Sequence, residues 1–137
     1  MSIKTKKIDW IIHYVANGVA CDECGGVEDS FPPFMCNAHT HGMQKYGHLD
    51  FQIVISLGMS LAGTLLNDIG LRVQAGEQFQ DGDVISDLIQ GYDVKLIEVQ
   101  ETSRTVLRII FPDTNGCFPG DEGCEYPYDQ QEDFQTP

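Results

Sequence analysis

Apolar residues along the first twenty positions recur at the spacing of a helical turn. One face of a helix drawn through this segment carries an apolar stripe, formed by Ile8, Ile11, Ile12, Val15 and Val19. Such spacing is typical of an amphipathic helix that buries one side. The pattern therefore predicts an N-terminal helix over residues 1–20.

Alternation of apolar and polar positions predicts strands farther along the chain. Residues 35–42 form a short candidate strand, and a second strand begins at Phe51, where apolar and polar side chains alternate. Two runs rich in β-branched residues, 93–100 and 105–111, are separated by four residues. They predict a hairpin, because such residues favour a pleated surface.

Further helices are predicted between these strands. Residues 60–69 carry a stripe of leucine and isoleucine, with Ser60 placed to cap the first turn and Gly70 placed to end the helix. Residues 84–89 are expected to form one or two helical turns. Glycine and proline pairs within residues 21–34 predict a loop.

Together these elements predict an α+β fold in a single domain. Strands that are joined locally favour a mainly antiparallel sheet, with helices packed on one face. The predicted domain spans residues 1–112 and includes the cysteine-rich loop at 21–34. Residues 113–137 are expected to be an acidic, turn-rich C-terminal tail.

Charge narrows the classes of partner. The 137 residues carry a net charge of −13, which argues against binding to nucleic acid or to an anionic membrane. From Asp113 onward there are seven acidic residues and no lysine or arginine. This segment is either a solvated tail or a surface for a protein partner with a basic surface. No apolar run is long enough for a membrane span or an export signal, so we expect a cytoplasmic protein.

The cysteines suggest a metal site. There are five, an odd number, so they cannot all pair within one chain. Cys21 and Cys24 have the spacing at which two thiolates meet one metal ion. Cys36 with His39, or with His41 in its place, can complete a tetrahedral zinc site. The gap of eleven residues between the two pairs is shorter than usual, so unligated thiols and a redox pair remain as alternatives.

The histidines suggest a second kind of site. His39 and His41 alternate on the predicted strand, so their side chains point to one face. Asp50 can orient an imidazole in the way that general bases and metal ligands are oriented. The candidate catalytic residues are His41, His48 and Asp50, and the alternative is a hydrogen-bonded structural cluster.

Four motifs within the segment 37–99 carry a family resemblance. They are the run from His39 to Phe51, Leu65-Leu66-Asn67, the Ala-Gly-x-x-Phe turn at 75–79 and the downstream Gly-Tyr-Asp-Val. In these motifs the segment resembles the bacterial domain of unknown function DUF4262. The resemblance implies a compact bacterial α+β domain and no known activity. Leu49-Asp50 stands where the family pattern has Pro-Glu.

Two functions from different classes follow. The first is a small acidic cytoplasmic protein that acts by binding, of an inhibitory or immunity type, with a structural zinc site near its N-terminus. The alternative is a metal-dependent hydrolase that uses the cluster of His39, His41, His48 and Asp50, because two histidines and a carboxylate can hold a catalytic ion.

Overall fold

The computed structural model describes residues 8–16, 31–101 and 104–135, and within these ranges six strands form one mixed sheet. The strands are β1 (Ile11–Val15), β2 (Met35–His41), β3 (Asp50–Ile55), β4 (Val84–Ile89), β5 (Tyr92–Gln100) and β6 (Thr105–Ile110). Their order in space is β1-β2-β3-β6-β5-β4, with β3 and β6 parallel and the other neighbours antiparallel. The helix α1 (Met59–Gln74) connects β3 to β4 and contacts the sheet.

The central elements confirm the sequence predictions. Strands β2, β3, β5 and β6 lie where alternation placed them, and α1 covers the predicted helix. The α+β class is supported in its coarse form, as a largely antiparallel sheet with one α-helix among the described residues. Short 3-10 helices at Met43–Tyr46 and Tyr128–Gln130 add little to the helical content.

Two segments predicted to be helical form strands instead, and both strands lie at the sheet edges. Ile11–Val15, expected within a helix over 1–20, forms strand β1, while residues 1–7 and 17–20 lie outside the described residues. Val84–Ile89, expected as helical turns, forms strand β4. An edge strand has one neighbour and a solvated side, so its apolar pattern is weak, and pairing with that neighbour decides its conformation.

The sheet has one apolar face and one polar region on the opposite face. The apolar face packs under α1, with a core that includes Ala38, Phe51, Ile53, Leu66, Ile69, Leu96, Leu107 and Ile109. On the other face, directly opposed residues of four strands form a polar row: His13 pairs with His39, His39 with Gln52, and Gln52 with Arg108. Because opposed residues project to the same side of a sheet, these side chains are neighbours.

Trp10 joins the N-terminal strand to the helix. Its indole Nε1 donates a hydrogen bond of 2.9 Å to Asn67 Oδ1. Its ring lies so close to Gly70 that a Cβ on that glycine would be 2.6 Å from the ring. Gly70, expected to end the helix, instead lies inside α1, where it makes room for the indole.

The C-terminal segment packs on the sheet across the predicted boundary at residue 112. The Gln131 side chain is fully buried and exchanges hydrogen bonds with both backbone groups of Phe111. Arg108 donates to the carbonyl oxygens of Gln131 and Phe134. The extent of the domain stays a prediction, but these contacts lead us to expect that the segment contributes to stability as well as to solubility.

None of the helices in the described ranges has the length and hydrophobicity to cross a membrane.

The contact between Trp10 and Gly70 gives a stability test. Gly70→Ala places a methyl group against the indole, and we expect it to lower the free energy of unfolding by about 1–3 kcal/mol, the usual cost of overpacking. The control is Gly63→Ala in the same helix, where a Cβ meets nothing within 4 Å. That change should be neutral or stabilise by up to about 1 kcal/mol, because alanine is the better helix former. Urea unfolding of the two variants measures both effects, and equal stabilities would contradict the packing argument.

Candidate metal centre

Three histidines from the two N-terminal strands meet on the polar face of the sheet. His13 lies on β1, and His39 and His41 lie on β2. One ring nitrogen from each lies within 4.8 Å of the other two. His13 is the residue directly opposite His39, and His41 is two positions further along the same face, so the strand register brings the three rings together.

The spacing suits a metal ion. His39 Nε2 and His41 Nε2 are 3.0 Å apart. In a tetrahedral zinc site with Zn–N distances of about 2.0–2.1 Å, two ligand nitrogens are about 3.3 Å apart. A movement of a few tenths of an ångström brings His39 and His41 to that spacing. The nitrogens of all three residues lie within 4.8 Å of one another, so the widest pair has to close by roughly an ångström or more. The His13 ring lies 4.3 Å from the His41 ring and 5.4 Å from the His39 ring, measured between centroids.

The environment keeps His39 neutral, which is the form that binds metals. The side chain is only 5% exposed. Burial lowers the pKa of His39 to about 3, and the charge of Arg104 and the other two histidines act in the same direction. A proton therefore does not compete for His39 near neutral pH.

Polar groups outside the cluster orient its rings. His39 Nδ1 lies 2.9 Å from Asn37 Oδ1, which can only accept, so Nδ1 is the donor. Arg104 lies 3.4 Å from His41 Nδ1 and also donates to Asp50 Oδ2 at 2.7 Å. Asn37 is an acceptor of the kind that fixes the tautomer of a metal-binding imidazole, whereas Arg104 can only donate and so favours the His41 tautomer with its proton on Nε2.

Asp50, predicted to orient an imidazole, instead binds groups outside the histidine cluster. Its buried carboxylate accepts hydrogen bonds from Thr40 Oγ1, from the Met43 backbone, from Gln44 and from Arg104. None of these four donors is an imidazole. The connection from Asp50 to His41 runs through Arg104, so we interpret Asp50 as an anchor for that guanidinium.

His48 lies apart from the cluster. Its ring stacks on Phe51, which belongs to the apolar core under α1. Its Nε2 accepts the backbone N–H of Phe79, and its Nδ1 donates to the Leu49 carbonyl. The two hydrogen bonds connect the residues just before β3 to the segment after α1. His48 therefore has a structural role. The structure therefore does not bring His48 together with His39 and His41.

Cys36, the cysteine candidate within the described residues, is also separated from His39. Cys36 is buried in the core, with its Sγ 3.4 Å from the carbonyl oxygen of Ile55, whereas His39 lies on the polar face. Burial raises the pKa of Cys36 to about 11, so the thiol stays protonated and is a poor metal ligand. Cys21 and Cys24 lie outside the described residues.

His13 is the functional candidate that the sequence did not reveal. It lies within the segment 1–20 that the sequence predicts as a helix, and a helix there gives it no relation to residues 39 and 41. The alternation of Ile12, His13 and Tyr14 is a strand pattern as well, and it was the available signal. Pairing of β1 with β2 is what makes His13 a neighbour of His39.

Comparison with known proteins identifies a family and no activity. The model of the family described as domain of unknown function DUF4262 matches residues 6–125. The match is wider than the segment 37–99 that carried the sequence resemblance, and it includes all three histidines. No curated protein and no solved structure matches the chain.

The lowered pKa of His39 has a consequence for stability. Unfolded His39 takes up a proton below its ordinary pKa of about 6.5, whereas folded His39 stays neutral until about pH 3. The unfolded state therefore binds more protons between these values, and the free energy of unfolding falls as the pH falls, by at most about 1.4 kcal/mol per pH unit from this group. Urea unfolding at pH 7, 6 and 5 in the presence of a chelator should show a shallower pH dependence for His39→Gln than for the wild type. Parallel curves would contradict the assignment.

Proposed function

The chain belongs to the DUF4262 family, whose name assigns it no activity, and we propose from its geometry that it binds a divalent transition-metal ion through His13, His39 and His41. The observation that carries the proposal is the approach of three imidazole nitrogens to within 4.8 Å of one another on one face of the sheet. Like charges would keep three protonated histidines apart, whereas three neutral imidazoles form a set of metal ligands.

Zinc is the ion that we propose first. Imidazole suits zinc, copper and nickel, while magnesium and calcium prefer oxygen ligands. A zinc ion held by His39 Nε2 and His41 Nε2 displaces the proton that His41 Nε2 donates to His39. For His41 to stay neutral, that proton moves to its Nδ1, which must then turn away from Arg104. Three neutral ligands leave the ion its full charge and leave a fourth position for water or another ligand.

Zinc titration of an untagged protein tests the proposal. We expect about one zinc ion per chain by calorimetry, and a melting temperature that rises with zinc, since an ion that binds only the folded state stabilises it. Separate substitutions of His13, His39 and His41 by alanine should each abolish this stoichiometric binding.

Two matched controls separate this site from the earlier candidates. His48→Gln retains a side-chain acceptor and removes the remaining histidine of the chain, and it should bind zinc as the wild type does. The double variant Cys21→Ser, Cys24→Ser should also bind zinc. Normal binding by His13→Ala, or loss of binding in the cysteine variant, would show that the ligands are not the three histidines.

Hydrolysis is a second candidate function, and the three-ligand geometry favours it. A zinc ion with three imidazole ligands and one water lowers the pKa of that water to about 7 and so supplies hydroxide near neutral pH. This revises the ligand set of the hydrolase hypothesis from His39, His41, His48 and Asp50 to the three-histidine cluster.

An ester assay tests the second candidate. We expect zinc-loaded protein to hydrolyse 4-nitrophenyl acetate faster than free zinc at the same concentration, and His13→Ala to lose the difference. A zinc-binding protein with no excess rate would refute hydrolysis of such esters and leave the metal site standing.

A protein partner remains a proposal on separate grounds. The segment from Asp113 carries seven acidic residues and no basic one. Most of the acidic side chains between residues 121 and 133 are exposed, so they are available to a partner with a basic surface. Cytoplasmic location is part of the same proposal.

A further inference from the structure

We propose that Arg108, Gln52 and Asn37 form a hydrogen-bonded relay that fixes the tautomer of His39 and thereby prepares it as a metal ligand. The relay deepens the proposed function, because it explains which nitrogen of His39 faces the ion. It follows the polar row across the sheet, from β6 through β3 to β2. The three relay residues act through His39 and are positioning residues.

The relay begins with a group that can only donate. A guanidinium has N–H donors and no acceptor. Arg108 is 1% exposed, and its Nε donates to Gln52 Oε1 at 2.7 Å. The carbonyl oxygens of Gln131 and Phe134 accept from the same side chain and hold it in place. The oxygen of the Gln52 amide must therefore face Arg108.

The orientation of the Gln52 amide determines whether Asn37 presents its oxygen or its NH₂ group. With its oxygen on Arg108, Gln52 turns its NH₂ group to the other side. There Nε2 donates to Asn37 Oδ1 at 3.0 Å and to Glu101 Oε2 at 2.9 Å. Both hydrogens of the NH₂ group are used, and Asn37 has to present its oxygen.

Asn37 in turn decides where His39 carries its proton. Its Oδ1 lies 2.9 Å from His39 Nδ1, so Nδ1 must be the protonated nitrogen. A neutral imidazole has one proton, which leaves Nε2 unprotonated. This nitrogen faces His41 Nε2 at 3.0 Å, inside the three-histidine cluster. A reversed amide at either Gln52 or Asn37 would oppose two donors or two acceptors, so the relay has one stable polarity.

Isosteric variants test this polarity. Gln52→Glu is made together with Glu101→Gln, because the new carboxylate would otherwise face the Glu101 carboxylate and share a proton with it. In this variant, the carboxylate still accepts from Arg108 but cannot donate to Asn37. The Asn37 amide should turn its NH₂ group toward that carboxylate, and the proton of His39 should move to Nε2. In Asn37→Asp, the carboxylate accepts from both neighbours, so the polarity and the tautomer should be kept. Asn37→Leu removes the acceptor without adding charge and provides a second disrupting change.

The primary measurement is the tautomer of His39 in metal-free protein. Two-bond proton–nitrogen correlation spectra of protein with ¹⁵N-labelled histidine distinguish the Nδ1–H from the Nε2–H form. We expect Nδ1–H in the wild type and in Asn37→Asp, and loss of that form in the Gln52→Glu, Glu101→Gln variant and in Asn37→Leu. Circular dichroism and melting curves check that each variant is folded.

Zinc affinity is the second measurement. Loss of an outer partner of a metal-binding histidine typically weakens metal binding about 10- to 100-fold, and we expect this for the Gln52→Glu, Glu101→Gln variant and for Asn37→Leu. Asn37→Asp should bind zinc at least as tightly as the wild type.

The outcomes separate the relay from the metal site. An Nε2–H tautomer in the wild type, or an unchanged tautomer in both disrupting variants, would overturn the relay even if zinc binds. If the tautomer follows the relay but the wild type binds no zinc, the relay stands and the proposed function fails.

Discussion

The register between β1, β2, β3 and β6 is the constraint on which the rest of the structure depends. It places His13, His39, Gln52 and Arg108 in one line across four strands. A slip of one residue would turn each of these side chains to the face that packs under α1. Because that face is apolar, these polar side chains would be buried there without partners. The composition of the polar row therefore favours the observed register.

The polar row is costly to bury unless its hydrogen bonds are complete. Gln52 and Arg108 are almost entirely inaccessible, and His39 is nearly so. Burial of such groups without partners would cost several kcal/mol in total. Their bonds to one another and to the C-terminal segment offset this cost and fix their orientations. A row held in this way is rigid, which suits a binding site whose ligands must stay in place.

The sequence revealed the parts of the fold whose patterns are strong and local. Alternation around Phe51 and in the hairpin of β5 and β6 is clear because each of those strands has a neighbour on both sides and packs apolar side chains into the core under α1. The edge strands β1 and β4 were misread because a short apolar pattern fits a helical period as well as a strand period. One alternation, that of His39 and His41, indicated two of the three histidines of the candidate site. The third, His13, depended on a pairing between segments far apart in the chain, and no local pattern encodes it. His48 and Cys36 were predicted as site residues because they are close to His39 and His41 in sequence. In the structure, both lie on the apolar side of the sheet and not on the polar face that carries the cluster.

In the sheet that the described residues form, β1 is an edge strand, and the histidine cluster bears on how firmly this strand is held. An edge strand is bonded to a single neighbour, and its outer side offers unpaired backbone groups to other chains. An ion held by His13 from this strand and by two residues of β2 would act as a cross-link, comparable to a disulfide, between two parts of the chain that are joined only through a long connection. Metal supply would then decide how firmly β1 is held on β2.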